Sequence, residues 1–252
     1  RVFGFEDPAR GTNVFSALCS AATLALICWL TLTWTRIMFP ELSRRMASLT
    51  GVSAPLILLH SSAYIELSTT TEQYTLLTLF LSALLALGTV MITNPGPVSG
   101  QARARQAFAL GLLWGCAIGN HLSQISLGLF VALVVWKASS GMPRRHRWTL
   151  FFTAAFGLVL ASMVFLWVPL RSRENPLIDY GNIKTLENFL RALLRTGWTS
   201  RPISEAPAGF VTEWLASYDP AGQLGVSGLI FSVSGLVYLA AKRDSLIVCL
   251  LV

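Results

Sequence analysis

Two arginines stand at the end of a long apolar run in the segment FLWVPLRSRENPLIDYGN, residues 165–182. Arg171 and Arg173 follow Pro169, and Asn175 precedes a second proline. A planar guanidinium group donates two parallel hydrogen bonds, which fit a pair of phosphate oxygens. There is a second interpretation, because an arginine at a membrane helix end lays its stem along apolar surface and keeps its charge in water. Both interpretations remain open here, although the charge distribution described below favours a phosphate site at Arg171.

Two more groups of polar residues flank apolar runs. In STTTEQYTLL, Glu72 and Tyr74 open an apolar segment, and Thr69 precedes Glu72 at the spacing of a helix capping box. Glu72 therefore has either a capping role or a role in a site. Asn120 and His121 form the second group, in the sequence AIGNHLS. A histidine at a helix end either binds a neighbouring carbonyl or donates to a phosphate, and the sequence leaves both open.

The class of protein that positions these residues follows from composition. Hydrophobic residues make up 54% of the 252 residues, charged residues 12%, and the mean hydropathy is +0.60. This excess of apolar residues is typical of an all-α polytopic membrane protein. The net charge of +7 comes from basic residues scattered between apolar runs, a pattern of membrane-protein loops rather than of nucleic-acid binding. The four cysteines lie inside apolar runs and no metal-ligand spacing is present, so we predict no metal and no cofactor.

The apolar runs predict about eight membrane-spanning helices, since a span needs about 20 residues to cross a hydrocarbon core of about 30 Å. The predicted spans are 14–35, 50–66, 73–92, 106–119, 122–136, 148–169, 225–241 and a last one from Ser245. The stretch 106–137 is too long for the core as one helix. Gly119, Asn120 and His121 mark the predicted break between two shorter helices.

The distribution of charge orients these spans in the membrane. With eight crossings, one face has two acidic residues, Glu41 and Asp244. The same face has most of the basic residues, which are Arg36, Arg44, Arg45, Arg103, Arg105, Lys137, Arg144, Arg145, Arg147, Lys242 and Arg243. By the positive-inside rule this face is cytoplasmic, and residues 66–72, 120–121 and 170–224 face the periplasm or the endoplasmic-reticulum lumen. Arg171 and Arg173 then lie on the face that is poor in basic residues. The sequence does not distinguish a bacterial inner membrane from endoplasmic reticulum.

The outer loop 170–224 contains a predicted amphipathic helix over residues 184–198. In KTLENFLRALLRTGW, one stripe is apolar and another is charged, the apolar stripe being Leu186, Phe189, Leu190, Leu193 and Leu194. A helix this short and this charged does not span a bilayer. It is suited to lie in the membrane interface, or it packs on top of the bundle.

Four segments carry the polar residues described above or the apolar run near the start of the chain: WVPLRSRENPLIDYGN, AIGNHLS, TEQYTLLTLF and TNVFSALCSAATLAL. Together they resemble, in order, segments of the domain-of-unknown-function 2723 family, which includes the transmembrane protein 260-like protein O-mannosyltransferases. The first is similar to that family's Leu-Arg…Asn-Pro…aromatic-Gly segment and is the most specific. The others are similar to its Asn/His segment, its Glu-x-Tyr helix start and the helix after its first outer loop.

The resemblance implies a multi-span glycosyltransferase of the GT-C type. Such an enzyme transfers a hexose such as mannose from a polyprenyl- or dolichyl-phosphate carrier to a hydroxyl group of a protein, lipid or glycan. A carboxylate takes the hydroxyl proton, and cations stabilise the charge on the departing phosphate. The resemblance implies that the donor phosphate is bound by Arg171, His121 and Arg173, with support from Glu72, Tyr74, Asn120 and Asn175.

The family's carboxylate base belongs to the first outer loop, which the resemblance places upstream of residue 1. Glu6 and Asp7 do not show the expected motif, so we expect residues 1–252 alone to lack the catalytic base. Two other classes remain open. A polymerase or ligase of lipid-linked glycans also uses outer arginines against a lipid phosphate. A transporter or flippase would place ionisable residues in mid-membrane, where this sequence has His60.

Overall fold

The computed structural model describes residues 8–69, 73–93, 100–175 and 183–193, and every regular element in these residues is a helix. The helices are α1 Pro8–Met38, α2 Arg44–Leu59, α3 Ser62–Thr69, α4 Gln73–Thr93, α5 Gly100–Asn120, α6 Gly128–Ala138, α7 Arg144–Ser162, α8 Val164–Arg173 and α9 Leu186–Leu193. A 3-10 helix, Leu122–Leu127, joins α5 to α6. The predicted all-α class is confirmed for the described residues.

Among the described residues, three helical stretches are long and apolar enough to cross a membrane: Ala9–Met38, Tyr74–Thr93 and Arg144–Arg173. A shorter apolar stretch, Gln124–Ala138, includes α6. The predicted spans 225–241 and from Ser245 lie outside the described residues. The helix break predicted at residues 119–121 is present, since α5 ends at Asn120.

The predicted span 50–66 is wrong as a single helix, because α2 and α3 divide it. At the break, His60 Nδ1 donates to the carbonyl oxygen of Leu56 at 2.8 Å. The hydroxyl oxygen of Ser61 accepts a hydrogen bond of 3.3 Å from the backbone N–H of Tyr64. Ser61 is therefore the N-cap of α3, and it satisfies an amide group that a new helix leaves without a partner.

The capping box predicted for the start of α4 is also wrong at Thr69. This residue is the last of α3, and its hydroxyl donates to the carbonyl oxygens of Ile65 and Glu66 at 3.1 and 3.2 Å. Thr69 therefore belongs to the end of one helix rather than to the start of the next. The other half of the predicted box, Glu72, lies outside the described residues.

The predicted span 148–169 consists of two helices that meet at Met163. The Met163 N–H donates to the carbonyl oxygen of Leu160 at 3.2 Å, which is a tight bond of the 3-10 type. Pro169 lies inside α8 rather than at its end, and the helix continues to Arg173. The charged residues after the proline are therefore in the last helical turn, where the helix dipole favours cations.

Contacts between helices fix the directions of α1, α4 and α5. Trp34 Nε1 donates to Thr89 Oγ1 at 3.1 Å, so the late parts of α1 and α4 lie side by side and these two helices are parallel. Arg103, near the start of α5, donates to the carbonyl oxygen of Met91 near the end of α4 at 2.6 Å. α5 is therefore antiparallel to α4.

The helix directions give the bundle two ends of different charge. One end, here called the basic end, contains the end of α1, the starts of α2, α5 and α7, and the end of α6. Its charged residues, among those the structure describes, are Glu41 and the cations Arg36, Arg44, Arg45, Arg103, Arg105, Lys137, Arg144, Arg145 and Arg147. The other end, here called the His121 end, contains the start of α4 and the end of α5.

The closest helix pair in the bundle is formed by α5 and α7, which run parallel. A Cβ atom on Gly111 would overlap the backbone carbonyl oxygen of Ala154, and one on Gly119 would lie 3.1 Å from Val164 Cγ1 at the start of α8. Small residues permit such close approach between helices in membranes. The buried core extends from this pair to α4 and α6 through Leu84, Met91, Ala107, Leu110, Ala117, Val131, Val134, Val135, Leu150 and Ala154.

Helix α9 corresponds to the middle of the predicted interfacial helix 184–198, whose last residues lie outside the described ones. Leu186 and Leu190 are exposed, and Arg191 forms an ion pair of 2.8 Å with Glu187. The apolar and charged side chains therefore occupy separate stripes, with exposed apolar surface on one of them.

Candidate functional site

Tyr74 and His121, two of the residues singled out in the sequence, meet at the His121 end of the bundle. Their ring centroids are 6.0 Å apart and the ring planes are inclined by 39°. Tyr74 stands at the start of α4 and His121 directly after α5, so the antiparallel packing of these two helices brings the rings together. Tyr74 is exposed and His121 is half-buried, which leaves the pair accessible from that end.

The turn that carries His121 is held by hydrogen bonds on both sides. The His121 N–H donates to the carbonyl oxygen of Ala117 at 2.9 Å, and its own carbonyl oxygen accepts from the Gln124 N–H at 3.0 Å. Trp114, two turns back in α5, donates from Nε1 to the Gln124 carbonyl oxygen at 2.8 Å. The ring of Trp114 also lies against Gly128, where a Cβ atom would come within 2.8 Å of it. The imidazole therefore projects from a fixed turn.

Gln124 is a polar residue of this turn that the sequence analysis did not single out. Its side-chain oxygen Oε1 is buried and has no hydrogen-bond partner among the described residues. A buried amide oxygen without a partner is costly, so we expect a buried water molecule to donate to it. The signal in the sequence was its position four residues after Asn120, in the same turn.

Arg171 lies at the end of α8 and forms an ion pair with Glu174, one helical turn further on. The side chains are 56% and 58% exposed, and Arg171 Nη1 donates to Glu174 Oε2. Arg173 is also exposed. The predicted phosphate ligands Arg171 and His121 lie at the same end of the bundle.

The contact of α8 with α5 relates the position of Arg171 to the turn that carries His121. α8 begins at Val164, which lies against Gly119 near the end of α5. Arg171 is two turns further along α8, which is about 10 Å at 1.5 Å per residue. Beyond it, Asn175 has a φ angle of 50° and its Oδ1 accepts from Lys184 Nζ at 2.6 Å, a bond that joins α8 to the segment before α9.

The remaining predicted site residues are placed as follows. Asn120 is the half-buried last residue of α5 and is adjacent to His121. Glu72 lies outside the described residues. Within the described residues, no group of three His, Cys, Asp or Glu side chains is arranged to hold a metal ion.

The arrangement at the His121 end can bind an anion and a polyol. The end of α5 and the turn after it carry an amide and an imidazole, and the facing start of α4 carries a phenol. Two guanidinium groups lie near the end of α8, about two turns beyond its start. Imidazole and guanidinium groups donate to phosphate oxygens, and amide groups bind hydroxyls. These donors lie at the end of apolar helices, which is where a phosphate attached to a lipid would be held.

Over the residues that the structure describes, the chain is all-helical, with helices long and apolar enough to cross a membrane. The sequence model described as the protein O-mannosyl-transferase TMEM260 N-terminal domain matches residues 2–140, more than half of the chain. The chain therefore belongs to this family. The match contains Tyr74, Asn120 and His121, whereas Arg171 and the rest of α8 lie beyond it. No curated protein and no solved structure matches the chain.

Proposed function

We propose that the chain is part of a GT-C-type membrane mannosyltransferase that uses a polyprenyl- or dolichyl-phosphate mannose donor. The acceptor is a hydroxyl group of a protein, as the family name indicates. The observation that carries the proposal is the contact between Tyr74 and His121 on a fixed turn, within the region that matches the family. Both residues also belong to the segments that resemble the family's polar motifs.

The reaction assigns a task to each group. The acceptor oxygen attacks the anomeric carbon of the mannose, the bond from that carbon to the phosphate oxygen breaks, and the acceptor proton passes to a carboxylate. His121 donates to the departing phosphate, and Tyr74 and Asn120 position the imidazole of His121. Donors aimed at a developing charge usually supply the largest part of such catalysis. We expect this carboxylate in the family's first outer loop.

Arg171 is proposed as the second phosphate donor, assisted by Arg173. The Arg171–Glu174 ion pair does not prevent this role, because both partners are more than half exposed and an exposed pair contributes only about 0–1 kcal/mol. A phosphate, with up to two charges and several acceptor oxygens, competes with a single exposed carboxylate. Asn175 Oδ1 accepts a hydrogen bond from Lys184 Nζ, which joins the end of α8 to the described residues before α9.

The active face in this proposal is the His121 end. Basic residues are concentrated at the opposite end, and the positive-inside rule assigns that end to the cytoplasm. The His121 end then faces the periplasm or the lumen of the endoplasmic reticulum. The same assignment makes residues 1–252 one transmembrane domain with an outer loop over 170–224. The exposed Leu186 and Leu190 of α9 lie in the membrane interface, where they contact the lipid tail of the donor.

The proposal is tested with the intact protein, purified and reconstituted into lipid vesicles with an acceptor peptide rich in serine and threonine. The donor is labelled mannose on a polyprenyl phosphate, and a parallel reaction contains labelled nucleotide-linked mannose. We expect transfer from the lipid-linked donor, loss of transfer with His121→Ala, and unchanged transfer with Arg45→Ala at the basic end. Transfer from the nucleotide donor alone would overturn the donor class. Equal transfer by His121→Ala and wild type would overturn the site.

A further inference from the structure

A cavity at the basic end of the bundle is lined by both charged and aromatic side chains. It has a volume of about 540 Å³ and is lined by Trp136, Arg144, Arg147, Trp148 and Phe151. It lies between the end of α6 and the start of α7, at the opposite end of the bundle from Tyr74 and His121. The proposed sugar transfer gives it no role.

Arg147 is held in place at this cavity without being neutralised by an acidic side chain. Arg147 Nε donates to the carbonyl oxygen of Met142 at 3.0 Å, and its Cζ atom lies 5.6 Å from the centroid of the Trp136 ring. A cation over an aromatic face is attracted to it, so these two contacts orient the guanidinium group. Within the described part of the chain, neither Arg144 nor Arg147 has an acidic partner. Their positive charge is therefore available to an anion.

The turn between α6 and α7 fixes the geometry of the cavity. Gly141 has a φ angle of 82°, a left-handed conformation that favours glycine, and the Met142 N–H donates to the Ser139 carbonyl oxygen at 3.0 Å. Ser139 is fully buried, and its hydroxyl donates to the carbonyl oxygen of Trp136 at 2.8 Å. This hydrogen-bonded turn brings the end of α6 next to the start of α7.

The walls of the cavity are large apolar rings that face outward. Trp136 is 58% exposed and Trp148 is 52% exposed, and the Trp148 ring centroid lies 6.1 Å from that of Phe151. Exposed tryptophans beside arginines, at the end of apolar helices, are typical of the level of the lipid headgroups. Basic pockets between membrane helices on the cytoplasmic side bind anionic lipid headgroups.

We infer that this cavity binds one acidic glycerophospholipid from the leaflet at the basic end. The lipid phosphate accepts hydrogen bonds from Arg144 and Arg147, and the glycerol and upper acyl chains lie along Trp148 and Phe151. The volume is in the range of small-ligand sites, which fits a headgroup with its glycerol. The inference does not depend on the proposed glycosyl transfer.

The test measures lipid binding to the intact protein in nanodiscs of phosphatidylcholine, titrated with phosphatidylglycerol whose acyl chains are brominated near the headgroup. Bromine quenches tryptophan fluorescence at short range. The chain has eight tryptophans, so the part of the quenching that is lost in a Trp136→Phe/Trp148→Phe variant reports occupancy of the cavity. The variant is Arg144→Gln/Arg147→Gln, and the matched control is Arg44→Gln/Arg45→Gln. The control removes two charges from another helix start at the same end. We expect the first variant to bind about thirtyfold more weakly, since each basic residue near an anionic surface contributes a factor of about five. The control is expected to bind like wild type.

Two further measurements separate the alternatives. The Arg144→Lys/Arg147→Lys variant keeps both positive charges, so we expect it to retain most of the lipid binding. That result would show that the loss of binding in the glutamine variant is not caused by misfolding. Inorganic phosphate, added as a competitor, is expected not to displace the lipid, because it makes no contact with the aromatic walls. Equal loss in the Arg44/Arg45 control would overturn the site in favour of general surface charge. Displacement by phosphate at matched concentrations would overturn the lipid as its ligand.

Discussion

Arg103 Nη1 donates to the carbonyl oxygen of Met91 at 2.6 Å, and the arginine side chain is only 4% exposed. Met91 is in the last turn of α4, where carbonyl groups have no partner within the helix. The contact therefore satisfies an acceptor at a helix C-terminus with a cation, the charge that the helix dipole favours there. It joins the end of α4 to the start of α5, and so supports the antiparallel pair that brings Tyr74 to His121.

Replacing Arg103 is expected to destabilise the bundle. Arg103→Met leaves the Met91 carbonyl oxygen buried without a partner, at a cost of about 1–3 kcal/mol. Arg105→Met removes the same charge from an exposed position two residues away and is the matched control. Thermal unfolding in detergent, followed by circular dichroism, is expected to show a lower midpoint for the first variant only. Equal midpoints for the two variants would mean that the Arg103 contact contributes nothing.

The same residue illustrates which parts of the fold the sequence could predict. The helix break at Asn120 was predictable, because Gly119-Asn120-His121 is a local signal in the chain. Arg103 was expected in a loop before the predicted span, because the sequence does not show that α5 begins at Gly100 beside the end of α4. The break at Ser61 was also missed, because a single capping serine inside an apolar run is a weak signal until the new helix packs.

Because α5 packs closely against α7, alanine substitutions at two glycines are expected to change the stability of the protein differently. A Cβ atom on Gly157 would overlap the backbone carbonyl oxygen of Phe108, and backbone cannot move aside as a side chain can. Gly157→Ala is therefore expected to destabilise the protein by about 1–3 kcal/mol. Gly100→Ala meets nothing within 4 Å and is expected to be neutral or to stabilise by about 0.4–1 kcal/mol. Unfolding midpoints measure both, and an equal effect of the two changes would contradict the packing.

The role of the candidate site stays a prediction, and the structure adds the arrangement of some of its residues. Tyr74 and His121 were assigned to one face from the order of the spans, and the structure brings their rings into contact. Trp114 and Gln124 were missed, because a ring that reaches across a turn depends on tertiary packing. The continuation of α8 through Pro169 to Arg173 was not predicted either, because the sequence indicated an end of the helix at that proline.

The Arg171–Glu174 pair predicts opposite effects of its two members on donor binding. Arg171→Gln removes a phosphate donor and is expected to raise the KM for the lipid-linked donor about tenfold, as for the loss of one charge-assisted hydrogen bond of about 1.5 kcal/mol. Glu174→Gln removes the competing carboxylate and is expected to leave KM unchanged or to lower it. Transfer at varied donor concentration measures both. A rise in KM with Glu174→Gln would show that the ion pair itself, rather than a free guanidinium, is what the site requires.

His121 is expected to act through its ring nitrogens and not through its contact with Tyr74. His121→Phe keeps a ring beside Tyr74 but has no donor for the phosphate. Its rate of mannose transfer should fall about 100-fold or more, as when one donor to a developing oxyanion is removed. Tyr74→Phe keeps the ring contact and loses only a hydroxyl, so it should fall much less. His60→Phe is the control, because the ring of His60 donates to the Leu56 carbonyl oxygen within its own helix and belongs to no part of the site. If His121→Phe and His60→Phe lose activity equally while both insert normally, the histidine at the end of α5 is not a phosphate donor.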